Sequence, residues 1–307
     1  MKRRYQQQFK ALGSSVSLTL LADNQSVVDS AFRFLFKSVN AFEQRFSRFL
    51  PDSELTMINH RAGQRTKISQ AMMKILKESV NLSIISNGLF SPLILPSLQR
   101  AGYAGSITNG FRLDDDALDY SSRSSINSVD KIRLGRDWIE IPSDAAIDLG
   151  GIGKGYLLDE LALGLNERNI NDYWLSLGGD IVLSGQDVDG FGWRVQIAPA
   201  SDAHDIKRII IAAPDERLAM ATSGTIKRRG SNWHHIIDPA TGLPAETDIM
   251  SATVVAERGV VADVTAKAVV IGGRLVADEL FNKGLIKAYL LQLSGTKKII
   301  SKGDYIK

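Results

Sequence analysis

The chain is expected to adopt an α+β fold, with antiparallel-rich sheets flanked by helices, and three observations set that expectation. Apolar residues recur at helical spacing early in the chain, over residues 27–49 and 69–86. Short strand patterns crowd the middle, at 174–177, 181–183, 193–197, 209–211 and 218–221, with Gly or Asp turns between several of them. Regular strand–helix alternation, the mark of a parallel βαβ sheet, is missing, and segregated helices and strands favour α+β.

The elements follow in order. Val16-Ser17-Leu18-Thr19-Leu20 alternates after the turn residues Gly13-Ser14-Ser15 and reads as a strand. Residues 27–49 carry Ala31, Phe34, Leu35, Val39, Phe42 and Phe46 on one stripe, which predicts a long amphipathic helix. Pro51-Asp52-Ser53 ends it and caps a short helix over 54–59. Ser69 is the expected N-cap of a helix reaching Ser86, with Asn87-Gly88 as its stop. Residues 114–130 are rich in Asp and Ser and are expected to be irregular; they are not read as a linker, because 131–141 resumes strand-like alternation. Residues 157–162 form helix after a glycine run, 252–256 read as a buried strand, and 261–271 as a helix. Residues 288–293 with 298–301 read as a closing hairpin.

Composition excludes several function classes. At 307 residues, 44% hydrophobic and 23% charged, the chain is an ordinary globular sequence able to bury a large core. Its 37 basic and 34 acidic residues leave a net charge of +3, with no basic stripe interleaved with aromatics, so nucleic acid is not an expected partner. The absence of cysteine removes disulfides, thiolate chemistry and cysteine-ligated zinc, and His60, His204, His234 and His235 are too scattered for a zinc cluster. The basic opening has no apolar core or cleavage site, and no apolar stretch is long enough to span a bilayer. No membrane anchor is expected, and the expected compartment is cytoplasmic.

Three constellations carry candidate chemistry. The first is Asp148-Leu149-Gly150-Gly151-Ile152-Gly153-Lys154-Gly155-Tyr156, running straight into a helical stretch. A glycine turn opening a helix offers free N–H groups and a positive dipole end to a phosphate; the same glycines also suit a tight packing turn. The run is not a P-loop, since Gly155 stands where Ser or Thr would follow Gly-Lys. The second joins Thr222-Ser223-Gly224 to the turn-rich segment His234-His235-Ile236-Ile237-Asp238-Pro239-Ala240-Thr241-Gly242-Leu243-Pro244. His235 there reads as a general acid or base, a phosphate donor, or a capped surface histidine. The third is Asp263 with Lys267, one helical turn apart: a helix salt bridge, or a carboxylate ligand for Mg²⁺.

Taken together, these segments resemble the ApbE-type FAD:protein FMN transferases. Leu12-Gly13-Ser14, Phe46-Ser47-Arg48-Phe49 through Asn59, Gly88-Leu89-Phe90-Ser91-Pro92, the glycine run with Asp159, Ser176-Leu177-Gly178-Gly179-Asp180, Thr222-Ser223-Gly224 and residues 235–242 stand in that family's order and spacing. The resemblance spans residues 9–275. It implies one ApbE-like FAD-binding catalytic domain over residues 1–307, with room for two lobes meeting at the FAD site. It also implies cleavage of the FAD pyrophosphate and attachment of FMN to a threonine of an acceptor flavoprotein, with release of AMP. By the same resemblance Leu12, Phe49, Leu89, Phe90, Ser91, Asp148, Lys154, Thr222 and Ile237 contact FAD. The Gly151 carbonyl and the Asp263 carboxylate would hold Mg²⁺, and His235 would act in transfer.

Two positions depart from the family pattern: Ser91 stands where an acid is usual, and Lys267 where a metal-binding threonine is usual. A protonated lysine has no lone pair to offer a metal. Its ammonium is expected to pair with Asp263 or to lie against the pyrophosphate as a fixed positive charge, keeping FAD binding while weakening metal-assisted cleavage. Two alternatives follow: a metal-dependent FAD pyrophosphatase with water as acceptor, and a low-turnover FAD-binding protein.

Overall fold

Residues 2–103, 126–200, 208–226, 228–230, 233–295 and 298–307 are described by the computed structural model. The expected irregular stretch 114–130 falls outside the described residues as far as 125, and so does His204. Strands β1 (Arg3–Ala11) and β2 (Ser14–Ala22) pair in unbroken register, from Arg3 opposite Ala22 to Ala11 opposite Ser14. Leu12 (φ 54°) and Gly13 (φ 64°) close the hairpin, both in the left-handed region that a two-residue turn between twisted strands demands. Strand β1 is not apparent from pattern because most of its side chains are exposed; Tyr5, Phe9 and Ala11 alone pack toward the core.

The helices start where the capping residues indicate. α1 (Gln25–Phe46) is capped by Asn24, α2 (Glu54–His60) by Ser53 and α3 (Gln70–Ile85) by Ser69, each side chain accepting an N–H from the first turn. Asn87 and Gly88, at φ 51° and 78°, turn the chain away after α3. A short α4 (Leu95–Arg100) follows, and β4 (Arg133–Leu134) and β5 (Trp138–Glu140) join β3 (Thr66–Lys67) in a small antiparallel sheet.

The second half supplies α5 (Gly153–Asn166), β6 (Tyr173–Leu177), β7 (Asp180–Ser184), β8 (Arg194–Gln196), β9 (Ile209–Ile211) and β10 (Arg217–Gly224). It continues through β11 (Ile237–Asp238), β12 (Leu243–Pro244), β13 (Ile249–Ala256), α6 (Gly259–Asn282), β14 (Ala288–Leu293) and β15 (Ile299–Lys302). The main sheet has the order β1-β2-β6-β7-β10-β13-β14-β15, with every neighbouring pair antiparallel. Its central strands are buried on both faces. In β10, Ala219 and Ala221 pack with α1, α5 and α6, whereas Leu218 and Met220 pack with Trp193, Val195 and Ile210. A second core gathers Leu55, Ile58, Met72, Leu76 and Ile139 from α2, α3 and the small sheet, with Ile147 from the segment before α5. α6 runs further than the 261–271 expected, through a non-helical break at Gly273 (φ 75°, ψ −165°). No helix of the described residues is long and apolar enough to cross a membrane.

Candidate active site

The glycine run both packs and opens a site. None of Gly150, Gly151, Gly153 and Gly155 has a positive φ, so closeness rather than backbone freedom is what glycine provides here. A Cβ on Gly155 would stand 2.3 Å from the Gly259 carbonyl oxygen and 2.7 Å from Asp263 Cβ, which lets α5 sit against the start of α6. The two helices cap each other. The Gly155 N–H donates to Asp263 Oδ2 at 3.0 Å, and the N–H groups of Gly259 and Val260 donate to the Asp159 carboxylate at 2.8 and 3.0 Å. Neither helix has a side-chain cap from its own N-cap residue, so each borrows a carboxylate from the other. The amides of Gly151 and Lys154 have no hydrogen-bond partner among the described residues. They leave the positive end of α5 able to receive an anion.

That helix end faces a cavity of about 1000 Å³ bordered by all four apolar clusters. Such a volume stands at the upper end for small-molecule and cofactor sites. Charges line it in pairs. Arg48 Nε meets Asp148 Oδ2 at 2.7 Å with both side chains buried, and Asp148 Oδ1 accepts the Gly150 N–H at 2.8 Å, which fixes the loop before α5. The Lys154 ammonium is bonded to Asp180 Oδ2, and the other Asp180 oxygen accepts the Thr222 N–H at 3.2 Å. The Lys267 ammonium is bonded to Asp263 Oδ1 and also donates to the Asp263 backbone carbonyl at 3.0 Å. Among the described lining residues, Arg228 is the cation without a carboxylate partner; its guanidinium lies 6.0 Å from the Tyr103 ring centre.

Burial, with the neighbouring Lys267 and Arg228 charges, pushes Lys154 down to about 8 despite the pull of Asp263. Burial would raise Asp263, yet the ammonium groups of Lys154 and Lys267 outweigh it and hold the carboxyl below its ordinary value. His235 is pushed down to about 3 by burial and then by Arg228 and Lys267. Its ring is therefore neutral near pH 7. Nδ1 lies 3.2 Å from the Arg228 carbonyl oxygen, which can only accept, so the ring proton belongs on Nδ1 and Nε2 keeps its lone pair. Neighbouring His234 instead places Nε2 3.1 Å from the Ala245 carbonyl.

The ApbE family model matches residues 12–290, nearly the whole of this assembly. The chain belongs to the ApbE family. It is 28% identical over 261 residues to an FAD:protein FMN transferase of Vibrio cholerae, covering 82% of this chain and 75% of that protein. A protein of the same name from Haemophilus influenzae is 25% identical over 299 residues, covering 92% and 84%. Among solved structures, the flavin transferase ApbE of Vibrio cholerae superposes with a TM-score of 0.81 at 22% identity, covering 98% of this chain and 97% of that one. The ApbE protein of Thermotoga maritima gives 0.80 at 22%, covering 97% and 96%. At those identities the structural likeness speaks to the fold.

In this ApbE chain the residues singled out from sequence converge. Leu12, Phe49, Leu89, Phe90, Ser91, Asp148, Gly151, Lys154, Thr222, His235, Ile237 and Lys267 all border the one cavity. Asp263 lies just beneath, 1% exposed, and meets the cavity through Lys267, Gly155 and the more distant Lys154 ammonium. Ser91 Oγ accepts the Leu93 N–H at 3.2 Å. Sequence reasoning did not single out Arg48, Asp180, Arg228 or Tyr103. Arg48 and Asp180 stand inside quoted motifs, and that position was a usable signal. Arg228 and Tyr103 stand in no motif and come to the site only through folding.

The proposed metal ligands do not fit a divalent ion as they stand. Asp263 Oδ1 holds an ammonium and Oδ2 an amide, and the Lys267 stem lies between Asp263 and Gly151, its Cδ 3.7 Å from where a Cβ of Gly151 would be. No group of three or more His, Cys, Asp or Glu side chains that could hold a metal occurs among the described residues.

Proposed function

We propose that this chain is an FAD:protein FMN transferase that acts on an acceptor flavoprotein bearing a target threonine. The observation that carries the reading is the meeting, in one cavity, of the free Gly151 and Lys154 amides at the start of α5, the cationic side chains of Lys154, Lys267 and Arg228, and a neutral histidine. It is supported by membership of a family whose relatives bear that name. In this reading the whole chain, residues 1–307, is one catalytic unit, with FAD at the meeting of its two lobes.

The chemistry balances with residues of this chain. An acceptor threonine hydroxyl attacks the phosphorus of the FMN half of FAD. The new bond is threonine O–P, the bond that breaks joins that phosphorus to the bridging oxygen, and AMP leaves. The hydroxyl proton passes to His235 Nε2. That nitrogen is a weak base in the free protein because burial, and after it the Arg228 and Lys267 charges, disfavours a second proton. A bound pyrophosphate offsets the two charges, though not the burial, and so returns part of the ring's basicity once substrate is present. Charge building on the phosphate oxygens faces the amides of Gly151 and Lys154 and the side chains of Lys154, Lys267 and Arg228. Leu12, Phe49, Leu89, Phe90 and Ile237 supply apolar walls for the rings, and Thr222 with Ser91 polar ones. Asp148 acts by fixing the loop through Arg48 and Gly150. The Mg²⁺ expectation is not carried into the mechanism, because Asp263 has no free oxygen for it. Cytoplasmic residence belongs to the same proposal and is checked by fractionating cells that express the chain.

The test is co-expression with a candidate acceptor, followed by intact-mass analysis. A mass increase of one FMN on the acceptor, with AMP released, supports transfer. Free FMN and AMP without an adduct would assign the site to hydrolysis, and intact FAD after prolonged incubation would make this a flavin-binding protein.

A further inference from the structure

We propose that Lys267 is the resident cation of this site, filling the place a divalent metal would need, so that the chain binds the FAD pyrophosphate without a metal. The inference rests on the FAD reading above and adds how its charge is met.

Four observations converge. Asp263 is buried and both of its carboxylate oxygens are engaged, Oδ1 by the Lys267 ammonium and Oδ2 by the Gly155 N–H. A divalent ion at Oδ1 would have to expel an ammonium and then sit beside Lys154, whose Nζ is 3.8 Å from the same oxygen. The Lys267 stem occupies the gap between Gly151 and Asp263, the two groups that would have to converge on an ion. The ammonium points at the cavity with hydrogen-bonding capacity to spare. Of its three donors, two go to Asp263, and the third is left for a phosphate oxygen.

A purely structural i,i+4 salt bridge would use the same two residues, so the distinguishing property is what FAD binding requires. Asp263 anchors the ammonium at a fixed point, and the helix that carries both residues is tied to the start of α5 through Gly155. The fixed charge is therefore registered against the free amides of Gly151 and Lys154. A single positive charge polarises phosphate less than a divalent ion does, while these amides, Lys154 and Arg228 add to it.

The experiment titrates FAD into the wild-type chain and into Lys267→Thr by flavin fluorescence, each in EDTA and in excess MgCl₂, with melting temperatures of the FAD-free proteins recorded in both buffers. The wild type is expected to bind FAD equally well in EDTA and in Mg²⁺, with no melting shift from Mg²⁺. Lys267→Thr is expected to bind FAD about tenfold or more weaker in EDTA, to regain affinity with Mg²⁺, and to melt higher in its presence. Wild-type binding that collapses in EDTA and returns with Mg²⁺ would overturn the inference while leaving the FAD reading intact. Unaltered FAD affinity of Lys267→Thr in EDTA would overturn it too. Should the variant fail to fold, the wild-type pair of titrations decides alone. Failure of the wild type to bind FAD in either buffer would sink the FAD reading and this inference with it.

Discussion

Replacing Gly155 by alanine tests the claim that this glycine serves helix contact and that the contact holds the site together. The added methyl would meet the Gly259 carbonyl oxygen at 2.3 Å, more than an ångström inside ordinary contact, and Asp263 Cβ at 2.7 Å. A backbone carbonyl cannot swing aside, so α5 and α6 must separate. Overpacking of this kind costs about 1–3 kcal/mol. Separation also stretches the Gly155 N–H bond to the buried Asp263 carboxylate, worth about 1.5–3 kcal/mol for a charged acceptor. Alanine returns roughly 1 kcal/mol of helix propensity. The net expectation is a loss of roughly 1.5–5 kcal/mol, read as a lower midpoint in urea or heat, together with weaker FAD binding. Gly153→Ala is the internal control: it lies two residues away in the same run, and its Cβ would find only Phe42 ring atoms at 3.4 and 3.5 Å. If Gly155→Ala proves as stable as Gly153→Ala, the helix-contact argument is wrong.

Other expectations concern the chemistry. His235→Ala should leave FAD affinity near normal and slow single-turnover FMN transfer by about 10²–10⁴-fold, the usual scale of acid–base catalysis; an unchanged rate would return His235 to a capped bystander. Asp148→Ala removes the carboxylate that meets Arg48 and accepts the Gly150 N–H, while the Arg48 guanidinium keeps its bond to the Tyr103 carbonyl; a stability loss of about 1.5–3 kcal/mol and weaker FAD binding are expected. A normal fluorescence titration would count against the loop-fixing role. Lys154 has a folded-state value of about 8. Its ammonium is therefore lost in the free protein as pH rises through about 8, and FAD affinity should fall over that interval. Lys154→Arg, which stays charged, should abolish this fall. The same depression has a stability consequence: between about 8 and the ordinary lysine value of 10.5 the unfolded chain holds the proton that the folded chain has shed. Stability from this group therefore rises with pH across that window, the penalty being fully present below it.

Much of the fold was legible because local physics specifies it. Asn24, Ser53 and Ser69 each cap the helix they precede, and the apolar stripe from Ala31 to Phe46 turns its buried members to the core, as helical spacing demands. Strand β1 was not legible: an edge strand with mostly exposed side chains carries no apolar alternation, and only its pairing with β2 makes it a strand. The kinked second half of α6 was missed for a related reason, since Gly273 interrupts the pattern while the chain returns to helix beyond it.

The site divides along the same line. Sequence by itself determined the residue types, the order of the motifs and the one-turn spacing of Asp263 and Lys267, because those depend on chain chemistry and helical period alone. Tertiary structure decided what those residues touch. It set Asp263 against Gly155, 108 positions earlier in the chain, and Asp180 between Lys154 and Thr222. It also brought Arg228, which no motif marks, to the cavity wall beside His235. The first of these contacts forms when α5 and α6 close on each other, and the bond from Thr222 to Asp180 when β7 pairs with β10. The physical reason is that a carboxylate's role is set by who fills its lone pairs. For Asp263 the partners are an ammonium one turn along its own helix and an amide of another, and only the first of them is visible in sequence.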